Sequence, residues 1–114
     1  MTKAVGPYSP LIQTGDWLII SGQVGIKNGK LVDGGLLPQL RQIFLNLSAL
    51  LESKNLSLHN IVKTTVFLTD IQDYDKMNEI YVEEFGDHRP ARSAVAVNAL
   101  PIEAVVEIEA WAKI

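Results

Sequence analysis

The chain has 114 residues, no cysteine and a formal net charge of −3. A folded chain of this length buries roughly two-thirds of its unfolded surface, so one domain over residues 1–114 can form an independent core. The lack of cysteine excludes disulfide scaffolds, thiol nucleophiles and cysteine-ligated zinc or iron–sulfur sites. The acidic balance does not favour a nucleic-acid partner, and no apolar run is long enough for a membrane span. We therefore expect a soluble cytoplasmic domain.

The composition indicates surface that a partner covers. Hydrophobic residues make up 47% of the chain and charged residues only 20%, against about a quarter charged in typical domains. A small domain has too much surface to hide that excess, unless its core is rich in small aliphatic side chains. We favour a homo-oligomer, and compositional scatter is the alternative.

The N-terminal third predicts a hairpin and a loop. Residues 6–10 contain two prolines and are expected to be irregular. Residues 11–14 and 17–21 are typical of two strands joined by a tight turn at Gly-Asp. The glycine-rich residues 22–35 predict a loop, with one short strand around 30–32.

The next segment predicts a long amphipathic helix. Apolar residues recur at three- and four-residue steps from Leu36 to Leu51, which gives one broad apolar stripe. Pro38 suits the first turn, where its missing N–H donor costs nothing, and Asn55 is a plausible stop. The polar residues expected to lie off the stripe are Gln39, Gln42, Asn46 and Glu52.

The C-terminal half predicts three strands and a second helix. Residues 61–68 are β-branched and indicate a strand, and Asp73 and Gly86 are the expected N-cap and C-terminal stop of the helix. Residues 92–98 and 104–112 predict the last two strands. The order β-β-α-β-α-β-β predicts an α+β sandwich, with two helices on one face of a four- to six-stranded sheet. The apolar stripe of the second helix comprises Tyr74, Met77, Tyr81 and Phe85.

The last two strands contain an arginine and carboxylates. If they form a hairpin centred near Leu100, Arg92 lies opposite Glu109 and Ala94 opposite Glu107, so that arginine and carboxylate frame one pocket. A guanidinium grips a planar carboxylate by two parallel hydrogen bonds, and a nearby carboxylate can orient or deprotonate water. Spacing alone also fits an ordinary solvated cross-strand pair, which is the more common outcome.

Other candidates are weaker on their own. Tyr8 lies between two prolines and is presented stiffly, while Ser21 and Gly22 end a strand where a hydroxyl and a backbone N–H could receive an anion. Asn78 lies beside the stripe of the second helix. The ordinary alternatives are a packing tyrosine, a strand-ending serine and a boundary asparagine.

Metal and cofactor motifs are not found in the sequence. His59 and His88 have no ligand-like neighbours at metal spacing. Gly22, Gly25 and Gly29 do not follow a dinucleotide or phosphate-loop pattern. We therefore expect neither a metal nor a cofactor.

Several short motifs follow one another over nearly the whole chain, and together they resemble the Rid/YjgF family of reactive-intermediate (enamine/imine) deaminases. The pair Pro-Ala-Arg-Ser and Glu-Ile-Glu-Ala is fairly specific, and the full series strongly so. The motifs are Gly6-Pro7-Tyr8-Ser9, Ile20-Ser21-Gly22-Gln23, Val62-Lys63-Thr64-Thr65-Val66-Phe67-Leu68, Met77-Asn78-Glu79-Ile80-Tyr81, Pro90-Ala91-Arg92-Ser93, Leu100-Pro101 and Val106-Glu107-Ile108-Glu109-Ala110.

The resemblance implies a chorismate-mutase-like subunit that assembles as a homotrimer, with clefts between neighbouring subunits. It implies cofactor-free hydrolysis of 2-imino acids and their enamine tautomers, such as 2-iminobutanoate and 2-iminopropanoate, to 2-oxo acids and ammonia. It further implies that Arg92 binds the substrate carboxylate and that Glu107 orients or activates water, with Glu109 as a structural neighbour. The residues that would line the cleft are Tyr8, Ser21, Gly22, Asn78 and Ala94.

The chain departs from the family pattern at two places. Ala94 stands where many members have cysteine, and Arg89, in the short 86–90 loop, stands where an aromatic residue often precedes the proline. Two other functions stay open: a non-catalytic module that senses a small carboxylate, and an RNA-cleaving or translation-inhibiting protein. Glu107 favours the enzyme over the sensor, and the acidic balance argues against RNA.

Overall fold

Two helices pack on one face of a five-stranded mixed sheet in the computed structural model, which describes residues 5–114. The elements are β1 (Leu11–Thr14), β2 (Trp17–Gln23), β3 (Ile26–Lys27), β4 (Lys30–Leu31), α1 (Leu36–Glu52), β5 (Ile61–Leu68), α2 (Tyr74–Phe85), β6 (Ala91–Ala96) and β7 (Val106–Lys113). The sheet has the strand order β1-β2-β7-β5-β6, and β3 and β4 form a separate small hairpin. This arrangement confirms the predicted α+β class and the predicted order of the two helices and the five sheet strands, while the hairpin of β3 and β4 is additional to that order.

The predicted hairpin between β6 and β7 is wrong, because β5 lies between them. β6 pairs parallel with β5, and β7 pairs antiparallel with the other edge of β5. Helix α2 supplies the crossover that a parallel pair needs. The chain then crosses the end of β5, where the Val97 N–H donates to the Leu68 carbonyl at 2.7 Å and the Thr69 N–H donates to the Val105 carbonyl at 3.2 Å.

Helix α1 provides most of the helical side of the core. Its stripe residues Leu40, Ile43, Leu47 and Leu50 are fully buried against the sheet. Each such side chain contributes about 1.5–3 kcal/mol when removed from water. Pro38 lies in the first turn, and Asn55 adopts a left-handed φ of 60° just beyond the helix. The predicted helix and its stop are confirmed.

Two polar residues of α1 are buried, although the sequence pattern placed them off the core. The Gln39 side-chain oxygen accepts from the Val105 N–H at 2.9 Å. The Asn46 amide donates to the carbonyls of Val24 at 3.3 Å and Ile26 at 3.0 Å. Gln39 and Asn46 therefore satisfy loop backbone groups, and the Val24 carbonyl also accepts from the Ile26 N–H at 2.7 Å. Both side chains fasten the start of the small hairpin and of β7 to the helix.

The ends of α2 agree only in part with the prediction. The helix begins after Asp73, but the Asp73 side chain makes no capping hydrogen bond. Asp70 instead accepts from the Gln72 N–H at 2.9 Å and caps the short 3-10 turn that precedes the helix. Gly86 ends the helix with a φ of 65°, as predicted. The residues between β2 and α1 are more ordered than the predicted loop, because β3 and β4 pair there.

Candidate active site

A β-bulge shapes the open face of the sheet, which is the face without helices. β2 and β7 pair regularly up to Ile20 opposite Ala110 and resume with Gln23 opposite Ile108, so β2 has one extra residue. Ser21 and Gly22 form this bulge. Bulges of this kind redirect backbone and side chains and are common beside active sites.

The Glu107 side chain lies directly against Gly22. A Cβ atom added at Gly22 would lie 2.8 Å from the Glu107 carboxyl carbon and 3.0 Å from its Oε2. Gly22 does not have a left-handed φ, so space rather than backbone conformation requires glycine here. The bulge and the lack of a side chain at Gly22 together leave the space that the Glu107 carboxyl group occupies.

The environment of Glu107 favours the protonated carboxyl. Burial raises the pKa of Glu107, and the neighbouring charge of Glu109 raises it further. No ion pair found among residues 5–114 includes Glu107. A carboxyl group whose pKa moves towards neutrality exchanges protons readily, as a general base or acid must.

Ser21 and Tyr8 lie at the same end of the sheet. The Ser21 hydroxyl donates to the Ser9 carbonyl at 2.7 Å, and the Ser21 N–H donates to the Pro10 carbonyl at 2.9 Å. Ser21 therefore fastens the N-terminal segment to the bulge, and its hydroxyl proton is already used. The Tyr8 ring stays 45% exposed at the surface.

Arg92 lies on the opposite, helical side of the sheet, on the edge strand β6. Its guanidinium carbon is 4.9 Å from the centre of the Tyr81 ring and 5.6 Å from that of Tyr74. Nη2 lies 3.2 Å from the Tyr74 hydroxyl, and Nη1 lies 3.7 Å from the Met77 sulfur. The side chain is half-buried and held by aromatic and sulfur neighbours.

Arg92 has no carboxylate partner within the part of the chain that the structure describes. A guanidinium has five N–H donors, and the contacts with Tyr74 and Met77 use two of them. The remaining donors are available to an anion. A half-buried cation without a counter-charge is typical of a binding site for a carboxylate or phosphate.

Asn78 and Ala94 accompany Arg92. Asn78 is on α2, one turn from Tyr74 and from Tyr81, and its Oδ1 atom is buried without a hydrogen-bond partner in the described structure. Ala94 is half-buried and packs against the core beside α2. These two predicted site residues therefore lie on the side of Arg92, away from Glu107.

The predicted contact between Arg92 and the carboxylates does not form within one chain. Arg92 pairs in register with Thr64, whereas Glu107 pairs with Phe67 on the other edge of β5. Two strand spacings of about 4.8 Å separate them, and their side chains leave opposite faces of the sheet. The structure therefore divides the predicted site residues into two groups. Ser21, Gly22 and Glu107 form one group, to which the segment that contains Tyr8 is attached through the Ser9 carbonyl. Arg92, Asn78 and Ala94 form the other group.

The two tyrosines beside Arg92 are not predictable as its neighbours from the sequence pattern. Tyr74 and Tyr81 fit the apolar stripe of α2, which indicates packing alone. The Tyr74 hydroxyl accepts from Arg92, and the Tyr81 hydroxyl shares a hydrogen bond of 2.7 Å with Thr64, so both tyrosines also make polar contacts. The useful indication is a pair of tyrosines seven residues apart on the helix before β6, whose second residue is Arg92.

The described residues contain no cluster of three histidine, aspartate or glutamate side chains suited to a metal ion. No helix in the same part of the chain is long and apolar enough to cross a membrane. The open face also has a depression of about 360 Å³, lined by residues that include Trp17, Trp111, Lys63 and Glu109.

Comparison with known proteins gives consistent matches over the whole chain. A family model described as Endoribonuclease L-PSP matches residues 1–114. A RutC family protein of Pyrococcus horikoshii is 46% identical over 112 residues, which cover 96% of this chain and 89% of that protein. The 2-iminobutanoate/2-iminopropanoate deaminase of Mus musculus is 44% identical over 111 residues, 96% of this chain and 82% of the mouse protein. The crystal structure of RidA from an Antarctic Psychrobacter superposes with a TM-score of 0.94 at 40% identity, covering 98% and 92% of the two chains.

Proposed function

Because the chain belongs to the Endoribonuclease L-PSP family, the Rid/YjgF family that its motifs resemble, we propose that it hydrolyses small 2-imino acids to 2-oxo acids and ammonia. The observation that carries this proposal is the half-buried Arg92 guanidinium, which has aromatic neighbours and no carboxylate partner among the described residues. It can grip the carboxylate that every 2-imino acid has. The mouse relative named as an imine deaminase supports the substrate class.

Glu107 supplies the proton transfers in this mechanism. As the water oxygen bonds to the imine carbon, the Glu107 carboxylate takes a proton from the water and passes it to the imine nitrogen, which gives the carbinolamine. Glu107 then takes the hydroxyl proton of the carbinolamine and passes it to the amine nitrogen. As the C=O bond forms, the C–N bond breaks, ammonia leaves with the electron pair, and the 2-oxo acid remains. General acid–base catalysis of this kind contributes about 10²–10⁴-fold. The raised pKa of Glu107 makes its carboxylate a stronger base for these transfers.

The site is formed by two copies of the chain. Arg92 and Glu107 leave opposite faces of one sheet, so one substrate can reach both only if Arg92 of one copy lies beside Glu107 of the next. The exposed apolar side chains of the open face supply surface for such contact, with Val95 and Trp111 each 43% exposed. We propose the homotrimer that the family resemblance implies. Light scattering should then give a mass about three times 12.6 kDa.

The function is tested by imine consumption in a coupled assay. A threonine dehydratase generates 2-iminobutanoate, semicarbazide traps what survives, and wild-type protein is compared with Arg92→Ala. Loss of two charge-assisted hydrogen bonds should lower kcat/KM by about 10²-fold or more. Arg41→Ala is the matched control, since Arg41 pairs with Glu83 and Glu84 and should keep full activity. Equal turnover by the Arg92 variant and wild type would refute the role of Arg92.

Two alternatives give different results in the same experiment. A carboxylate sensor would bind 2-oxobutanoate through Arg92 but would leave semicarbazide trapping unchanged. The family description also names an endoribonuclease. An endoribonuclease must bind the negatively charged RNA backbone, which the net charge of −3 of this chain disfavours. RNA cleavage that Arg92→Ala removes would support that function instead.

A further inference from the structure

Two tyrosines of α2 enclose the Arg92 guanidinium, and we refer to Tyr74 and Tyr81 together as the tyrosine cradle. The ring centres lie 5.6 Å and 4.9 Å from the guanidinium carbon. At these distances a cation is attracted to the face of an aromatic ring. The Tyr74 hydroxyl also lies within hydrogen-bond distance of Nη2, at 3.2 Å.

The surrounding core holds Tyr81 firmly. The residue is only 4% exposed, and its ring packs against Phe85 with centroids 4.8 Å apart and against Phe44 at 5.9 Å. Its hydroxyl shares a buried hydrogen bond of 2.7 Å with Thr64 on β5. Burial raises the pKa of Tyr81, so the hydroxyl stays protonated at neutral pH and keeps this bond. Tyr81 therefore presents one fixed ring face to Arg92.

We propose that Tyr81 is a positioning residue, which fixes the plane of the Arg92 guanidinium so that its unused donors meet the substrate carboxylate. This inference rests on the proposed deaminase function. A long arginine side chain without a counter-charge would otherwise adopt many rotamers, and binding would have to select one. A ring that holds the guanidinium beforehand removes that cost from the binding step. Tyr74 assists by occupying one donor of Nη2, which limits the orientations in which a carboxylate can bind.

The test compares two substitutions in one core. Tyr81→Leu removes the ring that faces Arg92, whereas Ile43→Val shortens a fully buried side chain of the same core and removes no ring. We expect Tyr81→Leu to raise KM for 2-iminobutanoate, and the dissociation constant of 2-oxobutanoate, by about five-fold, with kcat less affected. Ile43→Val should leave both constants unchanged, although it also lowers the melting temperature.

Tyr81→Phe separates positioning from simple packing. It keeps the ring and loses only the hydroxyl bond to Thr64, so its KM should stay within about two-fold of wild type. This variant also keeps the test valid if Tyr81→Leu does not fold. A rise in KM for Tyr81→Phe as large as that for Tyr81→Leu would contradict the role of the ring.

A second readout does not depend on enzymatic activity. In a proton–nitrogen NMR spectrum, the Nε–H resonance of Arg92 should be shifted by the ring current of Tyr81, and Arg92→Lys assigns it. The shift should decrease in Tyr81→Leu, where only the Tyr74 ring remains beside Arg92, and persist in full in Ile43→Val and Tyr81→Phe. An unshifted resonance in wild type would overturn the inference while leaving the deaminase proposal intact. A shifted resonance in a wild-type protein that neither consumes the imine nor binds 2-oxobutanoate would instead refute the proposed function.

Discussion

The contact between Gly22 and Glu107 predicts that the proposed activity requires glycine at this position. An alanine Cβ would lie 2.8 Å from the Glu107 carboxyl carbon, whereas carbon atoms pack at about 3.5–4.0 Å. The carboxyl group must therefore retreat by about 1 Å. A displacement of about 1 Å in a reacting group costs roughly 10²-fold in rate. We expect Gly22→Ala to lower kcat for imine hydrolysis by about that factor.

The same substitution should have little effect on the fold, because the atoms it displaces belong to the end of a flexible side chain. Gly25→Ala provides the contrast, since its Cβ would meet the backbone Cα of Gln39 at 2.7 Å. That helix cannot move aside, so Gly25→Ala should lower the free energy of unfolding by about 1–3 kcal/mol. Semicarbazide trapping and urea unfolding measure the two effects. Wild-type turnover in Gly22→Ala would refute the account of how Glu107 is placed.

Three further predictions concern the carboxyl pair and the packing of the small hairpin. The Glu109 charge raises the pKa of Glu107, so Glu109→Gln should move the acidic limb of the pH–kcat/KM profile to lower pH, and an unmoved limb would count against this coupling. Because the folded-state pKa of Glu107 is raised mainly by burial, its ionised form destabilises the fold above that pKa and the penalty vanishes as pH falls. Glu107→Gln should accordingly raise the melting temperature at neutral pH and not at acidic pH, while it slows turnover; equal melting curves at neutral pH would contradict it. Asn46→Ala removes the side-chain donor of the Ile26 carbonyl and one of two donors of the Val24 carbonyl. It should lower the free energy of unfolding in urea by about 1–3 kcal/mol, and an unchanged free energy of unfolding would show that solvent replaces the amide.

Local patterns in the sequence were sufficient for the helices and for the strand faces. The stripe of α1 keeps a helical period over more than four turns, and alternation in β7 places Glu107, Glu109 and Trp111 on one face. Both periods follow from backbone geometry alone. Gly86 and Asn55 were predictable for the same reason, since each ends a helix in a left-handed conformation.

The strand order and the buried polar residues were not predictable in this way. β6 and β7 would have the same local sequence pattern whether they paired with each other in a hairpin or lay on either side of β5. Which of the two forms depends on the long-range pairing of each strand with β5. Asn46 is buried because carbonyls more than 15 residues away in the sequence come to lie beside it. The division of the site followed from the same long-range pairing. Arg92 and Glu107 were identified as candidates by their residue type and motif, and the structure assigns them to opposite faces.

The central claim, that Arg92 and Glu107 act on one substrate from two copies of the chain, is tested most directly by mixing two inactive variants. Arg92→Ala and Glu107→Gln are prepared separately and then refolded together in equal amounts. Random assembly in a closed ring restores an intact Arg92–Glu107 pair in about one quarter of the sites. The account predicts that imine consumption recovers to about that fraction of wild type, whereas a mixture no more active than the separate variants would contradict it.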